Sequence, residues 1–276
     1  MELNLEEIER QEESPFIERF EEFFNLEYKK EIEKIIEFIR KELSKAGLSK
    51  LIIGLSGGID SAVTTALSIK AIGKENVIAV MMPYKSSHPD SLKHAEQFAK
   101  IQGIQYEIID ISLMVDAYFD NYAIQADILR KGNLMARERM CILYDLSAKF
   151  QALVAGTGNR SEIMVGYCTQ YGDNACAFEP IGHLYKTEVK EIARILQIPE
   201  NIIRKQPSAD LWQEQTDEDE LGITYNELDK ILYNLFDLKK TRKELFNKGF
   251  SKENIEKVLD LNKRSEFKRN TPAMME

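Results

Sequence analysis

Ser56-Gly57-Gly58-Ile59-Asp60-Ser61 follows the apolar run Leu51-Ile52-Ile53-Gly54-Leu55 and leads into a stretch with helical spacing. A strand, a glycine pair and a helix start, in that order, present unpaired backbone N–H groups and the positive end of a helix dipole to an anion. The segment is therefore a candidate phosphate cradle. No lysine follows Gly58, so the P-loop spacing is absent, and the second glycine of a Gly-x-Gly-x-x-Gly fingerprint would fall on Ser56. Asp60 is the unusual member. A carboxylate repels phosphate unless a cation lies between them, which implies magnesium bound together with a nucleotide. The alternative is an ordinary strand-to-helix turn in which Asp60 or Ser61 is the helix cap.

Such a loop needs a scaffold, and the apolar pattern supplies one. Short apolar runs at 51–55, 77–82, 106–110 and 152–157 are separated by stretches of helical period at 60–72, 88–102 and 126–150. Strands alternating with helices predict an α/β fold, a doubly wound parallel sheet covered on both faces. Its strand C-termini share one edge, where ligands of open α/β sheets bind. Three loops, 56–61, 83–87 and 157–162, fall on that edge. A helix over 27–46 precedes the sheet, and helices over 186–197, 224–236, 238–248 and 251–264 follow it. The expected organisation is a single domain over 1–276, with N-terminal helices (1–48), a nucleotide-binding core (49–222) and a C-terminal helical part (223–276). The polar, acidic stretch 205–222 reads from composition as a mobile surface loop.

The bulk numbers set the class. With 276 residues, 43% of them hydrophobic, the chain can bury a sizeable core. Net charge is -9, and the lysines and arginines are interleaved with acids, a pattern of solvated helix faces that argues against nucleic acid as a partner. Cys141, Cys168 and Cys176 form no Cys-x-x-Cys and no zinc spacing, so reduced thiols in a cytoplasmic protein are expected. The first residues are acidic, without an apolar signal region, and no run approaches a membrane span.

"SGGIDSA" resembles the pyrophosphatase loop of the ATP-pyrophosphatase superfamily, whose enzymes split ATP into AMP and pyrophosphate while adenylating a substrate. Further motifs choose among its branches: "KGNLMARERM" (131–140), "GTGNRSE" (156–162), "GYCTQYGD" (166–173), "FEPIGHLYKTEV" (178–189) and "KQPSADLWQEQTDEDELG" (205–222). In this order the chain is similar to the NAD synthetases, specifically the short ammonia-dependent form, from about Leu51 to about Tyr225.

That resemblance implies the substrates deamido-NAD, ATP and ammonia, with magnesium as the metal. It assigns ATP to Gly54, Leu55, Ser56, Gly57, Gly58, Ile59, Asp60, Ser61, Thr157, Lys186 and Ser208, and magnesium to Asp60 and Glu162. Catalytic roles fall to Asp60, Lys186 and Asp173, the last as receiver of ammonium; a turn-stabilising role for Asp173 is the alternative. Arg137, Gln170 and Lys268 are assigned to deamido-NAD, with Arg137 reaching it across a homodimer interface built by residues 112–150. Within that stretch Tyr118, Phe119, Tyr122, Met135 and Met140 look exposed, and Arg139 reads as a surface arginine even more than Arg137 does. The stretch 205–222 would act as a lid over a water-sensitive acyl-adenylate.

The sequence also departs from the family pattern. Many relatives have lysine at the position of Gln170, aspartate at that of Ala177 and a His-Lys pair where this chain has Phe267-Lys268. Free ammonia is the expected amide donor, because no glutaminase segment precedes Leu51 and no cysteine stands with a partnered histidine among His88, His94 and His183. GMP synthetases share the loop but should lack "GTGNRSE" and "PSADLW"; a tRNA thiolase would need paired cysteines and a basic face. A nucleotide-sensing protein on the same fold would bind ATP without turnover.

Overall fold

The computed structural model describes residues 27–122, 125–212, 214–272 and 274–275; the helix expected before residue 27 falls outside them. Four parallel strands, β1 (Lys50–Gly54), β2 (Val77–Met81), β3 (Gln105–Ile108) and β4 (Ala152–Val154), lie in the order β3-β2-β1-β4. Leu51 pairs with Val77 and Gly54 with Val80 on one side of β1, and Lys50 pairs with Ala152 on the other. The strand order reverses between β1 and β4. Such a switch point leaves a crevice at the strand C-termini, here between the segments after Gly54 and after Val154.

Continuous apolar strands are what burial on both faces requires. Leu51, Ile53, Ala79 and Met81 pack toward α1 (Tyr28–Ala46), α2 (Ile59–Ile72) and α3 (Pro89–Gln102), where Ile35, Leu67 and Phe98 meet them. Ile52, Ile78 and Val80 face the other layer, α4 (Ser112–Tyr122) and α5 (Ile128–Phe150), through Val115, Phe119, Met135 and Leu146. The helix predicted over 126–150 is α5, and a further helix, α4, precedes it. Phe119 and Met135 belong to this core, which corrects their reading as exposed side chains.

Beyond β4 come α6 (Arg160–Val165), α7 (Lys186–Ile195), α8 (Glu200–Ile203), α9 (Asp217–Leu221), α10 (Tyr225–Leu232), α11 (Arg242–Asn247) and α12 (Lys252–Arg264). Tyr185, Tyr225, Leu228, Leu245 and Val258 form a third cluster that ties α10–α12 to α6 through Val165. The predicted helix over 224–236 ends in a π turn, Tyr233–Asp237, and α11 begins at Arg242 because Thr241 caps it, with Glu244 returning the bond.

Gly57 fixes the loop before α2. Its φ is +79°, and a Cβ there would stand 2.1 Å from the Ser91 carbonyl oxygen. Both conditions exclude a side chain. Gly57→Ala is therefore expected to destabilise the protein by about 2 kcal/mol or more, measured as the shift of a thermal or urea transition. An unchanged transition would mean that the loop has another accessible conformation.

Candidate active site

Glycine, not Asp60 or Ser61, occupies the cap position of α2: Gly58 is extended and no side chain caps the helix. The alternative reading of Asp60 as the cap is thereby excluded. The loop is knit internally instead. Ser61 Oγ donates to the Gly58 carbonyl at 3.0 Å, and Ser56 Oγ accepts the Gly58 N–H at 3.2 Å. The first turn of α2 keeps its positive end open toward the crevice.

Asp60 projects from that turn into a three-element charge cluster. Lys186 Nζ, from the first position of α7, lies 2.6 Å from Asp60 Oδ2 and 2.9 Å from Glu162 Oε1 of α6. Asn159, the cap of α6, donates from Nδ2 to Asp60 Oδ1 at 3.0 Å and accepts the Glu162 N–H. Only 2% of Lys186 is exposed. Burial and the two neighbouring carboxylates, Asp60 and Asp217, push the Glu162 carboxyl up to about 8 against the pull of Lys186. The lysine ammonium is disfavoured by burial but held charged by Asp60, Glu162 and Asp217.

A lysine at a helix start opposes the dipole, and the structure shows what offsets it. Besides the two carboxylates, buried Asp229 of α10 accepts from the Thr187 N–H at 2.9 Å and Thr187 Oγ1 at 2.7 Å. Ser161 Oγ accepts the Lys186 N–H and donates to Asp229 Oδ1. Burial raises the Asp229 carboxyl to about 6, even though all these donors favour its charge. Asp217, at the start of α9, is also buried, accepts the Tyr225 hydroxyl at 3.0 Å and has its carboxyl raised by burial.

The cluster forms one wall of a cavity of about 530 Å³. The loops after β1, β2 and β4 all border it, as the sheet edge predicts: Gly54, Leu55, Ser56, Gly58, Ile59 and Ser61 from the first, Pro83 and Ser87 from the second, Thr157 and Glu162 from the third. Asp173, Ser208 and Lys268 line it as well. Lys268 Nζ is pinned by the carbonyls of Gly166 (2.8 Å) and Cys168 (2.6 Å), whereas Phe267 points to solvent. Asp173 Oδ1 accepts the Thr169 N–H at 2.7 Å. It thus holds a turn and fronts the cavity; protein surrounds it on the other sides, which raises its carboxyl.

Arg137 and Gln170 lie outside this cavity and meet each other, the guanidinium donating to the Gln170 carbonyl at 3.2–3.3 Å. Arg139, read from sequence as a surface residue, is the one that turns inward: it lines the cavity and donates to the Met82 carbonyl at 3.0 Å. Two residues along a helix is about 200° of rotation, so the pair must face opposite ways. Met140, half-buried, borders the cavity too.

The stretch 205–222 is not a free surface loop. Residues 205–212 form much of the cavity wall, His88 N donates to Asp210 Oδ1 at 2.9 Å, and Asp217 N closes back on the Pro207 carbonyl at 3.0 Å. Sequence reasoning missed the wall residues Asp217, Arg139 and Lys205, and Asn159, the buried donor to Asp60. A helical wheel separates Arg139 from Arg137, but nothing marks Asp217 among its acidic neighbours.

A parallel sheet with an uncapped helix start and an acid-lysine cluster at its switch point defines an α/β enzyme of the nucleotide-binding class. The profile of the NAD synthase family matches residues 31–272, and the chain belongs to that family. It is 51% identical over 241 residues to an NH(3)-dependent NAD(+) synthetase from Fusobacterium nucleatum, covering 87% of this chain and 93% of that protein. Among solved structures it is similar to an NMN synthetase from Francisella tularensis (31% identity, TM-score 0.81, 91% and 99% of the two chains). It is also similar to an NH3-dependent NAD synthetase from Campylobacter jejuni (33%, TM-score 0.78, 91% and 100%).

Proposed function

We propose that the protein amidates deamido-NAD with free ammonia, splitting ATP into AMP and pyrophosphate. The observation that carries this reading is the meeting of Asp60, Glu162 and Lys186, from the first turns of three helices, beside the glycine loop of a chain of this family. Two carboxylates that already share one cation suit magnesium, a hard ion commonly held by one or two carboxylates while phosphates and water complete its shell. Among the described residues no three metal-binding side chains converge as a cage. Magnesium on Asp60 and Glu162 would neutralise the charge of the departing pyrophosphate.

The chain's own groups do the rest by position and charge. The start of α2, with Ser56, Ser61, Lys186 and Ser208, holds the phosphates; Thr157 meets the nucleotide. The nicotinate carboxylate attacks the α-phosphorus, pyrophosphate leaves, and ammonia displaces AMP from the acyl-adenylate. No side-chain nucleophile is needed. Asp173, with its raised carboxyl, takes the proton released from the incoming ammonium. Residues 205–212 exclude water from the intermediate.

Deamido-NAD reaches Arg137, Gln170 and Lys268 in a homodimer. The apolar side chains outside the core support that assembly: Leu113 is 84% and Tyr122 81% exposed, with Tyr118 and Ile128 also exposed. Light scattering at micromolar concentration is expected to give a dimer, and Tyr118→Glu to weaken it; a fully active monomer would overturn the dimer. No helix of the described residues is long and apolar enough to cross a membrane.

One assay tests the reaction. Purified protein with ATP, magnesium, deamido-NAD and ammonium is expected to yield the amide, AMP and pyrophosphate, with glutamine a poor substitute for ammonium. Nicotinate mononucleotide, offered in parallel, is expected to be the poorer acceptor. ADP in place of AMP would overturn the mechanism, and equal turnover with ammonia-free glutamine would overturn the donor.

A further inference from the structure

A second lysine stands near the glycine loop, beside Gly57 rather than at Asp60 where Lys186 lies. Lys205, just after α8, donates from Nζ to Ser91 Oγ at 2.7 Å. Ser91 is the residue whose carbonyl touches Gly57, near enough that a Cβ on Gly57 would stand 2.1 Å from it. The Lys205 ammonium is therefore held on the residue that abuts the loop, and both line the same cavity.

The two lysines differ in what neutralises them. Lys186 is shared by two carboxylates, which leaves no surplus positive charge on that side. Lys205 has a hydroxyl as its hydrogen-bond partner, and among the described residues no carboxylate forms an ion pair with it. A half-buried ammonium in such a position is costly unless an anion meets it. Burial accordingly lowers its pKa, opposed by the more distant Asp210 and Asp90.

We propose that Lys205 binds the terminal phosphates of ATP and then the pyrophosphate cut from it, a phosphate-binding residue on the leaving-group side of the reaction. This rests on the reading of the cavity as an ATP site. AMP, which lacks those phosphates, does not reach Lys205.

The test measures binding of magnesium pyrophosphate and of AMP by calorimetry to the full chain, wild type against Lys205→Met and Lys205→Gln. Glutamine keeps a donor for Ser91 without the charge. Both variants are expected to lose about 10- to 100-fold in pyrophosphate affinity, the range for a charge-assisted contact, and to hold AMP within about twofold. Their KM for ATP rises accordingly, and Lys205→Arg recovers part of the loss. Pyrophosphate affinity within about twofold of wild type in either variant would overturn the proposal. So would equal losses for AMP and pyrophosphate, or a loss in Lys205→Met that Lys205→Gln restores, since each marks a structural tether. Wild-type protein that makes no AMP from ATP, deamido-NAD and ammonium would instead sink the functional reading, independently of the binding contrast.

Discussion

Asp60→Asn and Glu162→Gln are each expected to lower kcat by about 100-fold or more while KM for ATP changes much less. The two carboxylates lie on one cation, Lys186, in the protein as folded, and under the proposed mechanism they hold one magnesium at the phosphates. Help given to a departing pyrophosphate is larger in the transition state than in the ground state, so it appears in turnover rather than in binding. If both residues act through the same ion, the double variant should lose little more than either single one. The magnesium concentration for half-maximal rate should rise in both. Losses that multiply would show two independent roles. An Asp60→Asn protein with wild-type rate and magnesium response would remove the metal assignment altogether.

The second large effect concerns Lys186. Lys186→Met leaves Asp60, Glu162 and Asp217 facing one another without their shared cation, and removing one partner of a buried charge group costs about 3–5 kcal/mol. The sign with pH follows from Glu162. Burial raises its carboxyl above the ordinary glutamate range, to about 8, so between the ordinary value and the raised one the folded state holds more of a proton than the unfolded state does. Stability associated with that proton is full below the unfolded value and is lost as pH rises through the folded one. Without Lys186 the carboxyl is raised further. The variant should therefore lie closer to wild type near pH 5 than near pH 8 in thermal unfolding, and millimolar magnesium should recover part of the loss at the higher pH. A variant equally destabilised at both pH values, and indifferent to magnesium, would show that the lysine's stem rather than its charge matters. Turnover is expected to stay low in every condition, because the divalent ion replaces the charge but not the contact to phosphate.

The fold was largely legible in the sequence because parallel strands buried on both faces need unbroken apolar runs, and 51–55 and 77–82 have them. The glycine loop was legible for a related reason: few contexts place Gly57 and Gly58 between such a run and a helix. What the sequence did not reveal is which distant side chains share a charge. Lys186 meets Asp60 across 126 residues of chain, and no spacing rule reaches that far. Asp217 stands in a run of acids and is distinguished only by the burial that Tyr225 and α9 impose on it. Arg139 was taken for surface for want of a helical phase, and Phe119 and Met135 because charges flank them. The stretch 205–222 has the composition of a solvated loop, and its docking against 88–91 depends on single bonds such as His88 N to Asp210 that composition does not record.

The helix that carries Asp60 is itself almost wholly interior: Ser61 to Ser68 are all buried, and Thr65 and Ser68 return their hydroxyls to carbonyls one turn back. Amides at its centre can exchange hydrogen for deuterium only when the whole core opens, whereas those of residues 205–212, held by a few partly exposed bonds, exchange through small local openings. The cavity is thus walled on one side by a slow-exchanging segment of the chain and on the other by a fast one. A ligand that touches both walls ties the second to the first, and its binding should be read most clearly as slowed exchange along 205–212, with the centre of the buried helix unchanged.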